Sequence, residues 1–270
     1  MIKKDSSPET VGLPEDGFLQ PGVKPVTELL RASPEKIDSV FVRKGRKGKE
    51  TDDILDLCRK AGVRFSLVDA TFLDRLWAGQ HQGVIARLFV TGFTDLDDLL
   101  ALAPDTPLPL IVALDQVQDP GNAGALARTL YAMGGAGLIV PRHNGVYLGA
   151  AAARVSAGAL EKLAVAKVAN LAQALDAALD AGYAVYGADG AASLAASDPG
   201  VVPENVFTFT PRLPAVLVLG GEDAGIRPIV RKRCSAFLSI PFAREFDSLN
   251  VAQAGAVIIG AFAAARLRGR

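Results

Sequence analysis

Cysteine and histidine are scarce in this chain of 270 residues, which has two of each. Two thiols in so long a chain provide neither a disulfide framework nor a cysteine cluster for zinc, and they suit a reducing compartment. We therefore expect no metal site and a cytoplasmic protein. Residues 1–30 lack the continuous apolar run of a signal peptide, and their prolines and charges predict a flexible extension over residues 1–17.

An excess of charge of one sign is also missing, because 29 Lys and Arg residues balance 29 Asp and Glu residues. Net charge therefore gives no argument for a nucleic-acid partner, and a basic surface must come from local segregation of charge. One such segregation is visible after an apolar strand, in the loop that contains Arg43, Lys44, Arg46 and Lys47. The composition of this basic loop fits a solvated turn as well as an RNA contact.

Long apolar runs are few, although half of the residues are hydrophobic and can fill the cores of about two domains. Only residues 251–267 approach the length of a membrane span. This segment contains Gln253, is rich in Ala and Gly, and falls short of about twenty apolar residues. We therefore expect a helix that is buried on most sides, in a core, a subunit interface or both, and no membrane span.

The pattern of helices and strands divides the chain into two domains. Residues 18–92 alternate short helices with short strands, which predicts a small α/β domain. Residues 93–109 contain acidic residues and three prolines, which is typical of a linker. Residues 110–270 alternate apolar strands with helices, including one helix expected over 150–162, and this alternation predicts a parallel sheet covered on both faces.

Three polar corners follow strands that we expect at 110–114, 215–220 and 237–240. The corners are DPGNAGALARTL at 119–130, LVLGGEDAGI at 217–226 and SIPFAREFDSLNVAQA at 239–254. Ligands bind beyond the carboxyl ends of the strands in such sheets, and a helix that starts there favours anions. Each corner alone is also compatible with a loop whose side chains cap the next helix, but three in one domain predict a ligand site.

The corners do not match the common nucleotide motifs. Their glycines lack the spacing of a dinucleotide fingerprint, and the Lys-Ser or Lys-Thr pair of a phosphate-binding loop is missing. They offer instead a set of polar side chains, namely Asn122, Arg128, Glu222, Ser248 and Asn250. Because Asn122 and Arg128 are six residues apart, they do not share a helical face, and we expect Asn122 in the loop or cap.

Taken in their order along the chain, the three corners resemble the signature motifs of the SpoU-type 2'-O-ribose RNA methyltransferases. These enzymes depend on S-adenosylmethionine and contain a trefoil knot. The matching residues are Asn122, Gly124 and Arg128 in the first motif, Gly220, Glu222 and Gly225 in the second, and Pro241, Ser248, Leu249 and Asn250 in the third. Upstream, PGVKPVTELL at 21–30, FVRKG at 41–45 and HQGVIARL at 81–88 are similar to the substrate-binding domain of bacterial 23S rRNA (guanosine-2'-O)-methyltransferases. The resemblance implies a small α/β RNA-binding domain followed by a knotted (deep trefoil) parallel-sheet methyltransferase domain.

The resemblance also implies roles for individual positions. The polar catalytic positions of the family correspond to Asn122, Arg128, Glu222, Ser248 and Asn250. S-adenosylmethionine would be held at Gly220, Ile240 and Leu249, with Gly187 at the edge of the adenine pocket. RNA contacts would come from the basic loop, through Arg43, Lys44, Arg46 and Lys47. Arg244, where the sequence departs from the family's third motif, is assigned to an additional phosphate contact. The enzymes of this family are homodimers, which agrees with an apolar final helix.

The chemistry of the reaction limits the role of each group. A ribose 2'-hydroxyl is a poor nucleophile, so methyl transfer needs in-line geometry and removal of a proton. Neither His81 nor His143 lies in a motif, which leaves Arg128 as the leading charged group. A guanidinium is hardly ever deprotonated, so we favour stabilisation of the developing oxyanion or binding of a phosphate over base catalysis by Arg128. Glu222 would order its loop, or alternatively form a cap or salt bridge.

Arg244-Glu245-Phe246-Asp247 stands where the family usually has a short glycine-containing stretch, and this departure leaves the target nucleotide open. The leading prediction is methyl transfer to a guanosine in 23S rRNA. One alternative is the same reaction on transfer RNA, because RNA recognition depends on loop shape and stacking that the sequence does not display. The other alternative is a non-catalytic RNA-binding or ribosome-assembly protein of the same fold.

Overall fold

The chain folds into two compact units, Met1–Phe89 and Val90–Arg270. The computed structural model describes residues 19–89, 92–188, 201–221, 225–244 and 248–268. The 1–17 extension, Glu222 and residues 245–247 therefore lie outside the described residues. The two units are described separately below.

The first unit is a four-stranded sheet with helices on both faces. Its elements are β1 (Leu19–Pro21), α1 (Val23–Ala32), β2 (Ile37–Arg43), α2 (Lys49–Ala61), β3 (Arg64–Val68), α3 (Ala70–Leu76) and β4 (Val84–Leu88). The strand order is β1-β4-β2-β3, with β4 antiparallel to both of its neighbours and β3 parallel to β2. This arrangement agrees with the predicted small α/β domain.

Alternation along β2 gives the first unit two apolar cores. Val40 and Val42 pack with residues of α1 and α2 such as Val26 and Ile54. Phe41 points to the opposite face, where it packs in a second cluster with residues of α3. Successive side chains of a strand point to opposite faces, so one strand can serve both cores.

The second unit is a seven-stranded sheet in which every pair of neighbouring strands is parallel. Its strand order is β7-β6-β5-β10-β8-β11-β9. Its elements are α4 (Leu96–Leu102), β5 (Leu108–Asp115), α5 (Pro120–Ala132), β6 (Gly135–Pro141), α6 (Ala150–Ser156), α7 (Ala159–Lys162), β7 (Ala164–Val168), α8 (Leu171–Asp180), β8 (Ala184–Ala188), β9 (Glu204–Asn205), β10 (Ala215–Gly220), α9 (Pro228–Arg231), β11 (Ala236–Ser239) and α10 (Val251–Arg268).

Both faces of this sheet are covered by helices, as the apolar strands predict. Leu110, Val112 and Leu114 of β5 pack in one cluster with residues of α5 and α10. Ile111 and Ala113 of the same strand pack on the other face, in a cluster that includes residues of α4, α8 and α9. The parallel sheet predicted for residues 110–270 is therefore confirmed.

The segment 93–109 does not behave as the predicted linker. Residues Leu96–Leu102 form α4, whose Leu99 and Leu100 are buried in the core of the second unit. Tyr183 donates a hydrogen bond of 2.5 Å from its hydroxyl to the carbonyl oxygen of Leu100. The aspartates lie at the start of α4 and in the turn after it, and the prolines lie beyond the helix, so neither prevents an amphipathic helix. The division between units therefore falls before this segment, at Phe89.

The helix expected over 150–162 is interrupted. Ala157 and Gly158 adopt left-handed backbone conformations, with φ values of 49° and 82°, and they separate α6 from α7. The short edge strand β7 follows directly and had no counterpart among the expected strands. The trefoil knot stays a prediction, because part of the chain between β8 and β11 lies outside the described residues.

Among the described residues, α10 is the one helix long and apolar enough to cross a membrane, and 28% of it is buried. In the single chain α10 is therefore buried on one face, and burial on most sides stays a prediction that depends on a subunit interface. One face of α10, which includes Ile258, Ile259 and Phe262, packs into the core with α5. The other face is formed mainly by small apolar residues and is open.

Candidate active site

The candidate site lies where β5 and β10 run side by side. Gly220, at the end of β10, pairs in register with Asp115, at the end of β5. After β5 the chain crosses to the face that carries α5, whereas after β10 it crosses to the opposite face, where Val230 of α9 is buried. Neighbouring parallel strands whose connections leave to opposite faces form the crevice in which such sheets bind ligands.

The first corner is organised by Asp119, which caps α5. Its Oδ2 accepts a hydrogen bond of 2.7 Å from the backbone N–H of Asn122, and Pro120 occupies the first helical position. An acidic cap and a proline at this position are favourable at a helix start. The side chain of Asn122 is partly exposed and is not the cap of this helix, because Asp119 performs that role.

The third corner meets the first through its asparagine. Asn250 accepts a hydrogen bond of 2.8 Å at Oδ1 from the backbone N–H of Ala252, so it does cap the start of α10. Its Nδ2 donates at 2.9 Å to Oδ1 of Asn122. The N-termini of α5 and α10 thus converge on one polar pair, and both helix ends favour a negatively charged oxygen beside them.

The second corner is a glycine-containing loop at the end of β10. The backbone N–H of Gly225 donates a 2.9 Å hydrogen bond to the carbonyl oxygen of Gly221, so the loop closes on itself. A Cβ at Gly220 would lie 2.3 Å from the carbonyl carbon of Gly225, and only glycine allows this approach. The loop includes Glu222, whose position lies outside the described residues.

Arg128 lies further along α5 and is exposed. Six residues correspond to about 9 Å along a helix axis, so Asn122 and Arg128 lie on different turns of α5, as the spacing predicts. Ser248 is also exposed, immediately before the partly exposed Leu249. Ser248 and Asn250 therefore lie at the same helix start, whereas Arg128 comes from a later turn of α5.

The positions predicted to hold S-adenosylmethionine have different environments. Gly220, Ile240 and Leu249 are partly exposed at or just beyond the carboxyl ends of β10 and β11 and before α10. Gly187 is buried within β8, and the space where its Cβ would stand is filled by the ring of Phe237, 2.6 Å away. Gly187 is thus a packing position, and any contact with adenine would have to use its backbone.

The basic loop of the first unit contains one arginine that the protein itself binds. Arg46 donates from Nη1 to Oγ1 of Thr51 at 2.6 Å and from Nε to the carbonyl oxygen of Gln82 at 3.1 Å, and its side chain is only 17% exposed. Arg43, Lys44 and Lys47 are exposed. Arg46 therefore holds the loop through contacts within the protein, whereas its three basic neighbours are exposed to solvent. Arg244, in the second unit, is exposed as well.

His81 has a structural role in the first unit. Its Nδ1 accepts a hydrogen bond of 3.0 Å from the backbone N–H of Gly83, so its Nε2 carries the proton and donates to Asp74 at 3.0 Å. Gln82, in the same turn, accepts from the backbone N–H of Val23 at the start of α1. This turn joins three elements of the first unit.

Sequence reasoning missed the pair formed by Asp115 and Arg227. Asp115 is fully buried at the end of β5 and accepts hydrogen bonds from the backbone and the side chain of Arg227, which follows the glycine loop. An aspartate that ends the otherwise apolar strand LPLIVALD is the signal that would have identified it. A charge in such a position needs a partner nearby.

The two thiols are poor candidates for chemistry. The pKa of Cys234 is raised to about 12, mainly by burial, with a smaller lowering by Arg231 and a smaller raising by Asp115. Burial likewise raises the pKa of Cys58 to about 11. Both thiols stay protonated at neutral pH, and the described residues contain no cluster of side chains that suits a metal ion.

Two family models match this chain. The model described as the SpoU rRNA Methylase family matches residues 109–260, and the model described as RNA 2'-O ribose methyltransferase substrate binding matches residues 21–89. The first match covers the sheet and all three corners, and the second covers the four-stranded unit.

Individual relatives agree with these matches. A protein of Bacillus subtilis named as a TrmH family tRNA/rRNA methyltransferase, YacO, is 30% identical over 88% of this chain and 92% of its own length. A tRNA/rRNA methyltransferase of Mycobacterium ulcerans is 34% identical over 91% of this chain and 76% of its own length. The crystal structure of the SpoU methyltransferase AviRb from Streptomyces viridochromogenes has a TM-score of 0.55 and 25% identity, with 94% of this chain and 91% of that chain covered.

Proposed function

The protein belongs to the SpoU rRNA methylase family, and we propose that it transfers a methyl group from S-adenosylmethionine to a ribose 2'-hydroxyl of RNA, with a guanosine of 23S rRNA as the target. The observation that carries the proposal is the hydrogen bond between Asn122 and Asn250. It joins two of the three motif corners at the point where the sheet topology predicts a ligand. The match of residues 21–89 to a 2'-O-ribose methyltransferase substrate-binding domain supports RNA as the substrate.

The residues at the strand ends fit S-adenosylmethionine. Ile240 and Leu249 offer partly exposed apolar side chains, which suit an adenine ring, and the glycine loop after β10 brings backbone groups close together. When bound, the cofactor supplies an electrophilic methyl group on a sulfonium. We assign Gly220, Ile240 and Leu249 to its binding, and Gly187 contributes at most its backbone.

In this proposal the polar groups act on the ribose. The amide pair of Asn122 and Asn250 holds the ribose hydroxyl at the converging helix N-termini, with Ser248 beside it. As the proton leaves, negative charge grows on the 2'-oxygen, and the positive ends of α5 and α10 favour it. Arg128 carries the only full positive charge among the five catalytic positions that we assign, and it stabilises this oxyanion or holds the adjacent phosphate. We assign Glu222 to ordering of its loop.

RNA binding and dimer formation are further parts of the proposal. Arg43, Lys44 and Lys47 are exposed and suited to phosphates, as is Arg244. The open face of α10 includes Gly260, which has no neighbour within 4 Å of a Cβ position, and the exposed Leu267. We propose that a second copy of the chain covers this face, and that the dimer acts on RNA in the cytoplasm.

The test is transfer of labelled methyl from S-adenosylmethionine to 23S rRNA, transfer RNA and immature ribosomal particles, assayed separately. A 2'-O-methylated nucleotide resists alkaline cleavage at its 3' phosphate, so the modified position can be mapped. Label at one site of 23S rRNA, identified as guanosine by nucleoside analysis, would support the proposal. Label in transfer RNA would show that transfer RNA, and not 23S rRNA, is the substrate. Cofactor binding without label on any RNA would favour a non-catalytic RNA-binding protein.

A further inference from the structure

The carboxylate of Asp115 is buried in the second unit and has no role in the reaction proposed above. Its Oδ1 accepts a hydrogen bond of 2.7 Å from Nε of Arg227, and Arg227 Nη2 also lies 2.7 Å from the same oxygen. Its Oδ2 accepts at 2.8 Å from the backbone N–H of Arg227. One carboxylate therefore binds both the side chain and the backbone of the residue that ends the glycine loop.

Asp115 also binds the other end of that loop. Its backbone carbonyl oxygen accepts a hydrogen bond of 2.9 Å from the N–H of Gly221. The beginning and the end of the segment 221–227 are thus fixed to one residue, which itself belongs to the neighbouring strand β5. The adjacent Gln116 has a left-handed φ of 61°, a conformation that costs free energy in a residue other than glycine and is held here by its surroundings.

We propose that Asp115 and Arg227 are a positioning pair that holds the two ends of the glycine loop, at Gly221 and Arg227, in the places that cofactor binding requires. This inference rests on the proposed function, in which the loop beginning at Gly220 binds S-adenosylmethionine. A glycine-rich segment has many conformations available, and a loop that is already ordered does not lose that entropy when the ligand binds. A buried carboxylate with a guanidinium partner supplies such order, because separating the two leaves an uncompensated charge.

The experiment measures the Kd of S-adenosylmethionine by calorimetry, together with the KM for the cofactor, kcat and the thermal midpoint, on the full chain. The variants are Asp115→Asn, Arg227→Ala and Arg227→Lys. Asp176→Asn is the matched control, because Asp176 accepts two hydrogen bonds from Arg233 at 3.0 and 2.9 Å in the same unit but on α8. This control separates the loss of any Asp–Arg pair from the loss of the pair at the loop.

We expect Asp115→Asn and Arg227→Ala to raise the Kd and KM about tenfold, with kcat at saturating cofactor close to the wild-type value. Arg227→Lys should recover part of this loss, since it keeps the charge. Asp176→Asn should leave the Kd unchanged, and the only effect expected from it is a lower thermal midpoint. If Asp115→Asn does not fold, the two Arg227 variants decide the question, and a Kd within twofold of the wild-type value in Arg227→Ala overturns the inference.

Gly220→Ala distinguishes this inference from the proposed function. A Cβ at that position collides with the loop whatever the role of Asp115. Weak cofactor binding in Gly220→Ala and normal binding in the Asp115 and Arg227 variants would overturn the positioning pair alone. Normal binding in all of them would overturn the assignment of the loop to the cofactor, and with it the inference.

Discussion

The two units each bury an aspartate beside arginines, but at different places on their sheets. Asp38 lies within β2 of the first unit, and its carboxylate binds Arg64 and Arg87 from the strands on either side. Asp115 lies at the carboxyl end of β5 in the second unit and binds Arg227 across a loop. The same pair of chemical groups therefore holds strands together in one unit and holds a loop in the other.

The difference teaches that position on the sheet matters more than residue type. Within a sheet, a carboxylate such as that of Asp38 is enclosed by neighbouring strands, and its interactions stabilise the fold. At the carboxyl edge, strands end and loops begin, so a charged group there can control a surface that faces a ligand. Variants of Asp38, within the first sheet, should therefore change stability, whereas variants at the edge of the second should change binding or turnover.

The largest effect is expected from Arg128→Ala. Because Arg128 is assigned to charge that develops in the transition state, turnover should fall by about two orders of magnitude or more, with cofactor binding retained. Single-turnover methylation of RNA measures this loss. Arg233→Ala is the control, since that arginine binds Asp176 away from the site. Turnover near the wild-type value in Arg128→Ala would remove this residue from the mechanism.

A large effect on stability, without an effect on binding, is expected from Asp38→Asn. Removing the charge breaks the ion pairs that the fully buried carboxylate of Asp38 makes with Arg64 and Arg87, so the free energy of unfolding should fall by about 3 kcal/mol. Urea unfolding followed by circular dichroism measures it. The Kd of S-adenosylmethionine should be unchanged in the folded variant, and a changed Kd would contradict the contrast between the two aspartates.

The pH dependence of stability in the wild-type chain provides a second test of the role of Asp38. Burial alone would raise the pKa of Asp38, but Arg87 and Arg64 outweigh it and hold the pKa below its ordinary value. The folded state therefore binds this proton less readily than the unfolded state. The stabilisation is complete above about pH 4 and is lost as the pH falls further through the lowered pKa. The stability curves of wild type and Asp38→Asn should converge in acid.

A smaller effect is expected from the asparagine pair. Asn122→Ala and Asn250→Ala should each lower turnover about tenfold, because each breaks the hydrogen bond between them. Their effects should be less than additive in the double variant, since the first change has already removed the bond. Asn170→Ala is the control, because Asn170 caps α8 with its side chain and has no role in the site. Strictly additive effects would show that the two amides act independently.

The smallest effect is expected from the basic loop. Neutralising Arg43, Lys44 and Lys47 together should weaken RNA binding and reduce the slope of log K against log salt by about 0.7 for each phosphate that the loop no longer binds. Filter binding over a range of salt concentrations measures the slope. Arg46→Ala should mainly lower stability, because its guanidinium binds Thr51 and Gln82. An unchanged slope in the triple variant would make the loop a solvated turn.

Much of the fold could be predicted because the signals are local. The strand expected at 215–220 is β10 as observed, and the helices expected at two of the corners are α5 and α10. The segment 93–109 does not form the predicted linker, a prediction that arises because its prolines and aspartates outnumber the buried leucines of the seven-residue helix that it contains. The break at Ala157 was missed, since alanine is a strong helix former and its left-handed conformation comes from the surrounding structure.

The sequence by itself determined the two-unit organisation, the parallel sheet and the residue types at its three corners, because apolar periodicity and glycine spacing are properties of neighbouring residues. Tertiary structure decided which of those residues meet. It brought Asn122 to Asn250 across 128 positions of the chain, bound Arg227 to Asp115, and enclosed Arg46 while it left Arg43 exposed. Such contacts depend on how strands order themselves in the sheet, and that order is fixed by the packing of the whole unit.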